Sequence, residues 1–379
     1  MSAIETLSNP YPNGINPPLS RSQLTPSLNI GQTSNSALLS LAIPSLQNWN
    51  FTLQRVLGHS LLLEAAYVGN KGSHVSVASL NLDNLSASNY ALGTYTQQLV
   101  PNPFYGVITD PTSQISLPTV SRRQLLLPYP QYLQVSSESP SLGSSIYHSM
   151  QAKVQKRFSN GFSLLASYTL GKNITNATGA GVVDPNNLRA ERSLAEWDVA
   201  QRLVLSGLFE FPFGRGKRVG SKWNGATDAV LGGWQANFVT SFQGGMPLNL
   251  TSTAGGRPNR IRPVQQLTGS IASRVNDYFD TSAFAIPAAF TYGNAPATEP
   301  DVRGPGIDNT DVSLLKYFRV TERIKAQLRF EGFNVFNRVQ FANPAIQDGT
   351  TSFGVITAQQ NQPRPDFRKI GPVWCRRGA

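Results

Sequence analysis

The stretch with the clearest chemical promise is GRGKRVGSK, Gly214 to Lys222. Glycines interleaved with lysines and a serine suggest a loop whose backbone amides could cradle a phosphate. The spacing fits neither G-x-G-x-x-G nor G-x-x-x-x-G-K-[ST], so the segment reads as a basic turn. The three histidines, His59, His74 and His148, are far apart and supply no metal set. The single cysteine, Cys375, can neither close an internal disulfide nor build a thiolate zinc site. Neither a G-x-S-x-G elbow nor an H-E-x-x-H helix occurs. Carboxylates do gather at Asp184, Glu191, Glu196 and Asp198, and such a group could take a divalent cation. They lack the spacing and the glycine turn of an EF-hand, and they are expected to be solvated loop charge. These residues predict no enzyme, no cofactor and no bound metal.

Composition narrows the class. Only 14% of the 379 residues are charged, well below the roughly 25% of an ordinary soluble domain. No run of about 18 apolar residues exists to cross a bilayer as a helix. The net charge of +11 would suit nucleic acid, but Lys71, Arg122, Arg123, Lys153, Arg189 and Arg202 are scattered rather than striped. No nucleic-acid partner is expected. The opening MSAIETLSNPYPNGINPP has neither a basic nor an apolar region, so no signal peptide is expected here.

The dominant pattern is period-2 alternation in runs of about ten residues, bounded by Gly, Pro, Asn and Ser. Eight runs stand out: Trp49 to Val56, Leu61 to Gly69, Tyr147 to Phe158, Phe162 to Gly171, Arg202 to Phe211, Gly233 to Gln243, Asp311 to Phe318 and Ile324 to Phe336. Their connections alternate in length. The long ones, 70–146, 172–201 and 244–310, fall on one side if every connection reverses direction. The shorter ones fall on the other. A soluble sandwich has no reason to obey that parity, whereas a transmembrane β-barrel does, with short periplasmic turns and long extracellular loops.

Alternation alone leaves open whether the apolar face meets a protein core or lipid. Three features favour lipid. The runs are long enough, at about 9–11 tilted residues, to cross hydrocarbon. One face is rich in hydrogen-bonding groups (Ser149, Gln151, Lys153, Gln155 and Arg157; Lys325, Gln327, Arg329 and Glu331), which suits a wet lumen. The opposite face carries Trp49, Phe51, Phe162, Tyr168, Phe209, Phe211, Trp234, Phe238 and Phe242, rings that prefer a lipid–water boundary.

Five segments in order carry a family resemblance: NWNFTLQRVL…LLLEAAYVGNKGSHV, VPNPFYGVIT…VSRRQLLLPYPQY, YHSMQAKVQKRFSNGFSLLASYTLGKN, FEFPFGRGKR…LGGWQANFVTSFQGGMPLNLT and FRVTERIKAQLRFEGFNVFNRVQFANP. Together they resemble the C-terminal barrel portion of the Oar-like TonB-dependent outer-membrane transporters common in Acidobacteria. The resemblance implies energised uptake of a scarce or large solute. It further implies a separate plug, a motor-coupling box upstream, and a barrel of about 22 strands. It carries over no catalytic residues.

The expected fold is therefore all-β, an antiparallel transmembrane barrel represented in part by about 8–10 strands. Residues 1–40 are expected to be an irregular segment, 41–362 the barrel part, and 363–379 a tail outside the barrel. In that tail Pro363, Pro365 and Pro372 interrupt the alternation. Lipid, the missing plug and barrel half, and the TonB system acting through the full-length protein are the expected partners. Two rival readings remain open: a secreted or periplasmic β-rich binding protein, and a passive porin-like channel.

Overall fold

A computed structural model describes residues 29–36, 42–58, 60–177, 181–319 and 325–361, together with the backbone of 373 and 374. The chain divides into two compact units.

The first unit is built from residues 29–36 and 81–137. Ile108, Ile115 and Val120 form its core, with Ile30, Val100, Phe104 and Leu125 packed against them. Asn102 holds the loop closed by donating to the carbonyls of Ile115 (2.8 Å) and Leu117 (2.7 Å). Thr33–Asn35 pairs in parallel with Gln134–Ser137, so the segment expected to be irregular contributes a short strand. Three residues are too few for alternation to be legible.

The second unit is dominated by one antiparallel sheet. Its strands, in chain order and in spatial order, are β1 (Ser45–Leu57), β2 (Leu61–Val75), β3 (Gly143–Ser159), β4 (Phe162–Thr175), β5 (Gln201–Glu210), β6 (Trp234–Gln243), β7 (Ile307–Arg319), β8 (Lys325–Gly332) and β9 (Val373–Trp374). A tenth, two-residue strand, Ser193–Leu194, pairs with β4. Every neighbour is sequential, the arrangement that short reversals between alternating segments produce. At the β3–β4 turn, Asn160 (φ 54°) and Gly161 (φ 78°) adopt the left-handed backbone that a tight hairpin needs, a conformation Asn and Gly reach at low cost. Pairing runs from β1 through β9, and among the described residues β1 pairs on one side only, so the described strands form an open wall rather than a closed cylinder.

Connection parity is visible directly. The connections 76–142, 176–200 and 244–306 all leave from one end of the sheet, while the ends of β1 and β2, of β3 and β4, of β5 and β6, and of β7 and β8 that follow each other in the chain meet at the other. Strands β1 to β4 run 13 to 17 residues, several longer than the alternating runs, because they extend toward the long-connection end. Strand β8 is instead shorter than its run and stops at Gly332. There the backbone turns through Asn334 (φ 46°), whose amide donates to Asp311 Oδ1 at 2.8 Å. Two residues of the expected non-barrel tail, Val373–Trp374, pair with β8 at Ala326 and Gln327. An edge strand has unpaired amides and carbonyls to offer, which is why even a segment without alternation adds there.

Candidate functional site

Cross-strand partners share a face of a sheet, so the registers assign every strand residue to one side. One ladder row reads Leu63, Val154, Ala166, Leu205, Thr240 and Thr310. Trp49, Phe51, Phe162, Tyr168, Phe209, Trp234 and Phe238 all occupy this first face. Phe211, one residue past β5, donates its amide to the Trp234 carbonyl at 3.0 Å and continues the row. The adjacent row on the second face reads Glu64, Lys153, Ser167, Val204, Ser241 and Asn309. Gln151, Gln155, Gln327, Arg329 and Glu331 belong to that face. Lys325 shares it by backbone register, but its side chain lies outside the described residues.

The two faces differ in chemistry. On the first, Phe51 is 62% and Met150 is 64% exposed, with Tyr168, Leu170, Phe209 and Phe242 also open. Outside the part that the connection 211–233 overlies, the exposed apolar residues of this face have no protein over them among the described residues, an exposure beyond what a soluble monomer tolerates. On the second face the side chains bond to each other: Gln54 donates to Glu64 (2.8 Å), Lys153 sits 4.0 Å from the same carboxylate, and Arg329 is 3.4 Å from Glu331.

Two lysines on the apolar face were not singled out by sequence reasoning. Lys156 Nζ turns back to donate to Ser159 O (2.9 Å), Ser159 Oγ (3.0 Å) and Phe162 O (2.8 Å). Lys316 Nζ donates to Gly232 O and lies 5.6 Å from the Trp234 ring and 5.2 Å from the Phe318 ring. In both, the apolar stem lies along the face while the charge reaches turn carbonyls at its rim. The available signal was a lysine at an apolar parity position near a short turn.

At the long-connection end of the second unit, residues of 244–306 and 341–356 pack into a cap. Leu248, Leu250, Tyr278, Phe279, Ala283, Phe284, Val302 and Ile356 form its core. Phe279 meets Phe353 edge-on at 5.2 Å and Phe284 at 6.2 Å. Arginines tie this core to its neighbours. Arg257 pairs with Glu191, Arg260 bridges Glu299 and Asp301 (both 2.7 Å), Arg262 pairs with Asp280 (2.8 Å), and Arg303 pairs with Asp198 (2.7 Å). Asp198 also accepts from the Asn173 amide at 2.6 Å, anchoring the cap to β4.

This corrects the expectation of solvated charge, since Glu191 is 1% and Asp198 is 3% exposed. Both are buried because arginines from 244–306 neutralise them. The signal was present in RPNRIRP (257–263), with arginines at 257, 260 and 262. Burial pushes the Glu299 carboxyl above its ordinary range, with Arg260 opposing. Asp280 is also buried, but Ser282, the Gln265 amide and Arg262 outweigh that and hold it low. The described residues contain no cluster of His, Cys, Asp and Glu able to hold a metal ion. His148 shares a hydrogen bond with the Tyr67 hydroxyl at 2.8 Å and lies 6.0 Å from the Trp49 ring, a rim contact on the apolar face.

A family model described as outer membrane beta barrel domain matches residues 2–370. The chain belongs to that family. It is accordingly an outer-membrane protein, and its open two-faced sheet is part of an outer-membrane β-barrel. No curated protein matches the chain. Among solved structures it is similar to the outer membrane transporter YddB from Escherichia coli, at 8% identity and a TM-score of 0.40, over 86% of this chain and 33% of that one. It is also similar to the pyoverdine outer membrane receptor FpvA from Pseudomonas aeruginosa PAO1, at 12% identity and a TM-score of 0.34, over 85% of this chain and 28% of that one. The chain thus spans a third or less of the length of these two proteins.

Proposed function

We propose that this chain forms wall and external cap of a TonB-dependent transporter of the Oar-like type, which takes up a solute through the outer membrane. The observation that carries the reading is the pairing of a two-faced sheet with a packed cap at its long-connection end. In this reading the first face, with Trp49, Phe51, Phe162, Tyr168, Phe209, Phe211, Trp234 and Phe238, meets lipid. The second, with Gln151, Lys153, Gln155, Lys325, Gln327, Arg329 and Glu331, lines the lumen. The long connections are extracellular and first meet the solute, and the short ones are periplasmic.

Support for lipid on the first face comes from its uncovered apolar area and from Lys156 and Lys316 reaching back to the turn rim. Energised uptake is supported by the five ordered sequence motifs. A solute bound outside must pass a lumen that a plug closes, so the motor must act through a longer protein that includes this chain. Planar-bilayer conductance of the full-length gene product, with a binding assay for the periplasmic domain of TonB, tests the proposal. A closed, non-conducting protein that binds TonB is expected. A steady open conductance without TonB binding would replace it with a passive channel.

A further inference from the structure

The connection 211–233 is the longest at the short-turn end and has a shape of its own. Three glycines with positive φ, Gly214 (123°), Gly216 (74°) and Gly220 (84°), fold it back on itself. The fold is pinned by Gly214 N to Val219 O (2.9 Å), Val219 N to Pro212 O (2.9 Å) and Trp223 N to Gly220 O (3.0 Å). Helix α1 (Gly225–Leu231) follows, capped by Asn224 Oδ1 accepting from Thr227 N at 2.8 Å. Its end is tied to the sheet by Trp234 Nε1 donating to Val230 O at 2.9 Å.

Between this connection and the apolar face lies a cavity of about 460 Å³ lined by Phe211, Phe213, Val219, Trp223, Leu231 and Trp234. Its rings are ordered, with Phe211 against Phe209 at 5.3 Å and against Phe213 at 6.1 Å. Val230, beside it, is 66% exposed. Apolar surface of this kind is a liability in contact with water.

The segment that lines the cup is basic. Lys217 is engaged with Glu210 at 2.7 Å, and Arg215 Nε donates to Trp223 O at 2.9 Å. Arg218 and Lys222 are exposed and form no ion pair among the described residues. An apolar cup whose lining residues Val219 and Trp223 are each flanked in sequence by an unpaired cation, Arg218 and Lys222, has the polarity of one ligand class, an amphiphile with an anionic head.

We infer that the 211–233 connection is a binding site for an anionic phospholipid of the membrane leaflet at the short-turn end. An acyl chain fills the cup, and Arg218 and Lys222 hold the phosphate-bearing headgroup. The inference rests on the first face meeting lipid.

Single-tryptophan versions of the membrane-embedded protein, retaining either Trp223 or Trp49 with the other tryptophans changed to Phe, test both levels. Fluorescence quenching is read in vesicles carrying brominated acyl chains on phosphatidylglycerol or on phosphatidylcholine. Trp49 should be quenched equally by both. Trp223 should be quenched several-fold more strongly by brominated phosphatidylglycerol, and R218Q/K222Q should erase that preference while leaving Trp49 quenching unchanged. Equal quenching of Trp223 by the two lipids, or no quenching of it, overturns this inference alone. Absence of Trp49 quenching by either lipid overturns the lipid-facing reading on which it rests.

Discussion

Ala166 and Ser167 are neighbours on β4 that point to opposite faces, so one charge can be moved between faces with almost no change in depth. Ala166 lies between Val154 and Leu205, in the apolar row, and Ser167 between Lys153 and Val204. Ala166 sits midway between Phe162 and Leu170, the ends of the apolar run. Four residues at about 3.4 Å each, on a strand tilted by about 40°, put it about 10 Å deep from either end. That is close to the midplane of an apolar band about 25 Å tall. Ala166→Lys should therefore cost about 2–4 kcal/mol, a drop of roughly 30- to 1,000-fold in the folded-to-unfolded ratio. Ser167→Lys meets only repulsion from Lys153, worth less than about 1 kcal/mol. Ser167→Glu, beside that lysine, should cost nothing measurable. The assay is reversible urea unfolding of the protein in phosphatidylcholine vesicles, read by the gel mobility of unheated samples. Equal costs at 166 and 167, or a larger cost at 167, would refute the assignment of faces.

The cap offers further tests. Glu191→Gln leaves the Arg257 guanidinium buried without its counter-charge and should cost about 3–5 kcal/mol of cap stability, seen as faster proteolysis of 244–306 with the barrel retained. Asp280 is held below its ordinary value of 3.8, so its stabilising share is complete above that pH and is lost as pH falls through the lowered value. Amide exchange at Tyr278–Phe284 should accelerate in that acid range, and Asp280→Asn should remove the acceleration while weakening the cap at neutral pH. The Trp49 ring lies over Gly69, filling the space where a Cβ would stand. Gly69→Ala should displace the ring and cost about 1–3 kcal/mol, measured by the same urea titration.

Much of the wall was legible in the sequence because a sheet writes its geometry with period 2. The Ser-Asn-Gly turn fixed the β3–β4 hairpin, and strand spacing revealed that long and short connections alternate between ends. The cap was much less legible. Its chemistry comes from side chains far apart in sequence, such as Glu191 with Arg257 and Asp198 with Arg303, and no local period marks such partners. Acids in a long loop looked solvated because the arginines that bury them belong to another loop. Lys156 and Lys316 were missed for a related reason: a lysine at an apolar parity position breaks the alternation unless the nearby turn carbonyls are considered.

The claim that the first face meets lipid is tested most directly by a nitroxide scan of β4 from Phe162 to Leu170 in bilayers. Collision rates are measured with oxygen, which concentrates in lipid, and with a water-soluble nickel complex. Lipid on the first face predicts high oxygen and low nickel accessibility at positions 162, 164, 166, 168 and 170, with the reverse at 163, 165, 167 and 169. A flat profile, or one with the two sets exchanged, would contradict it.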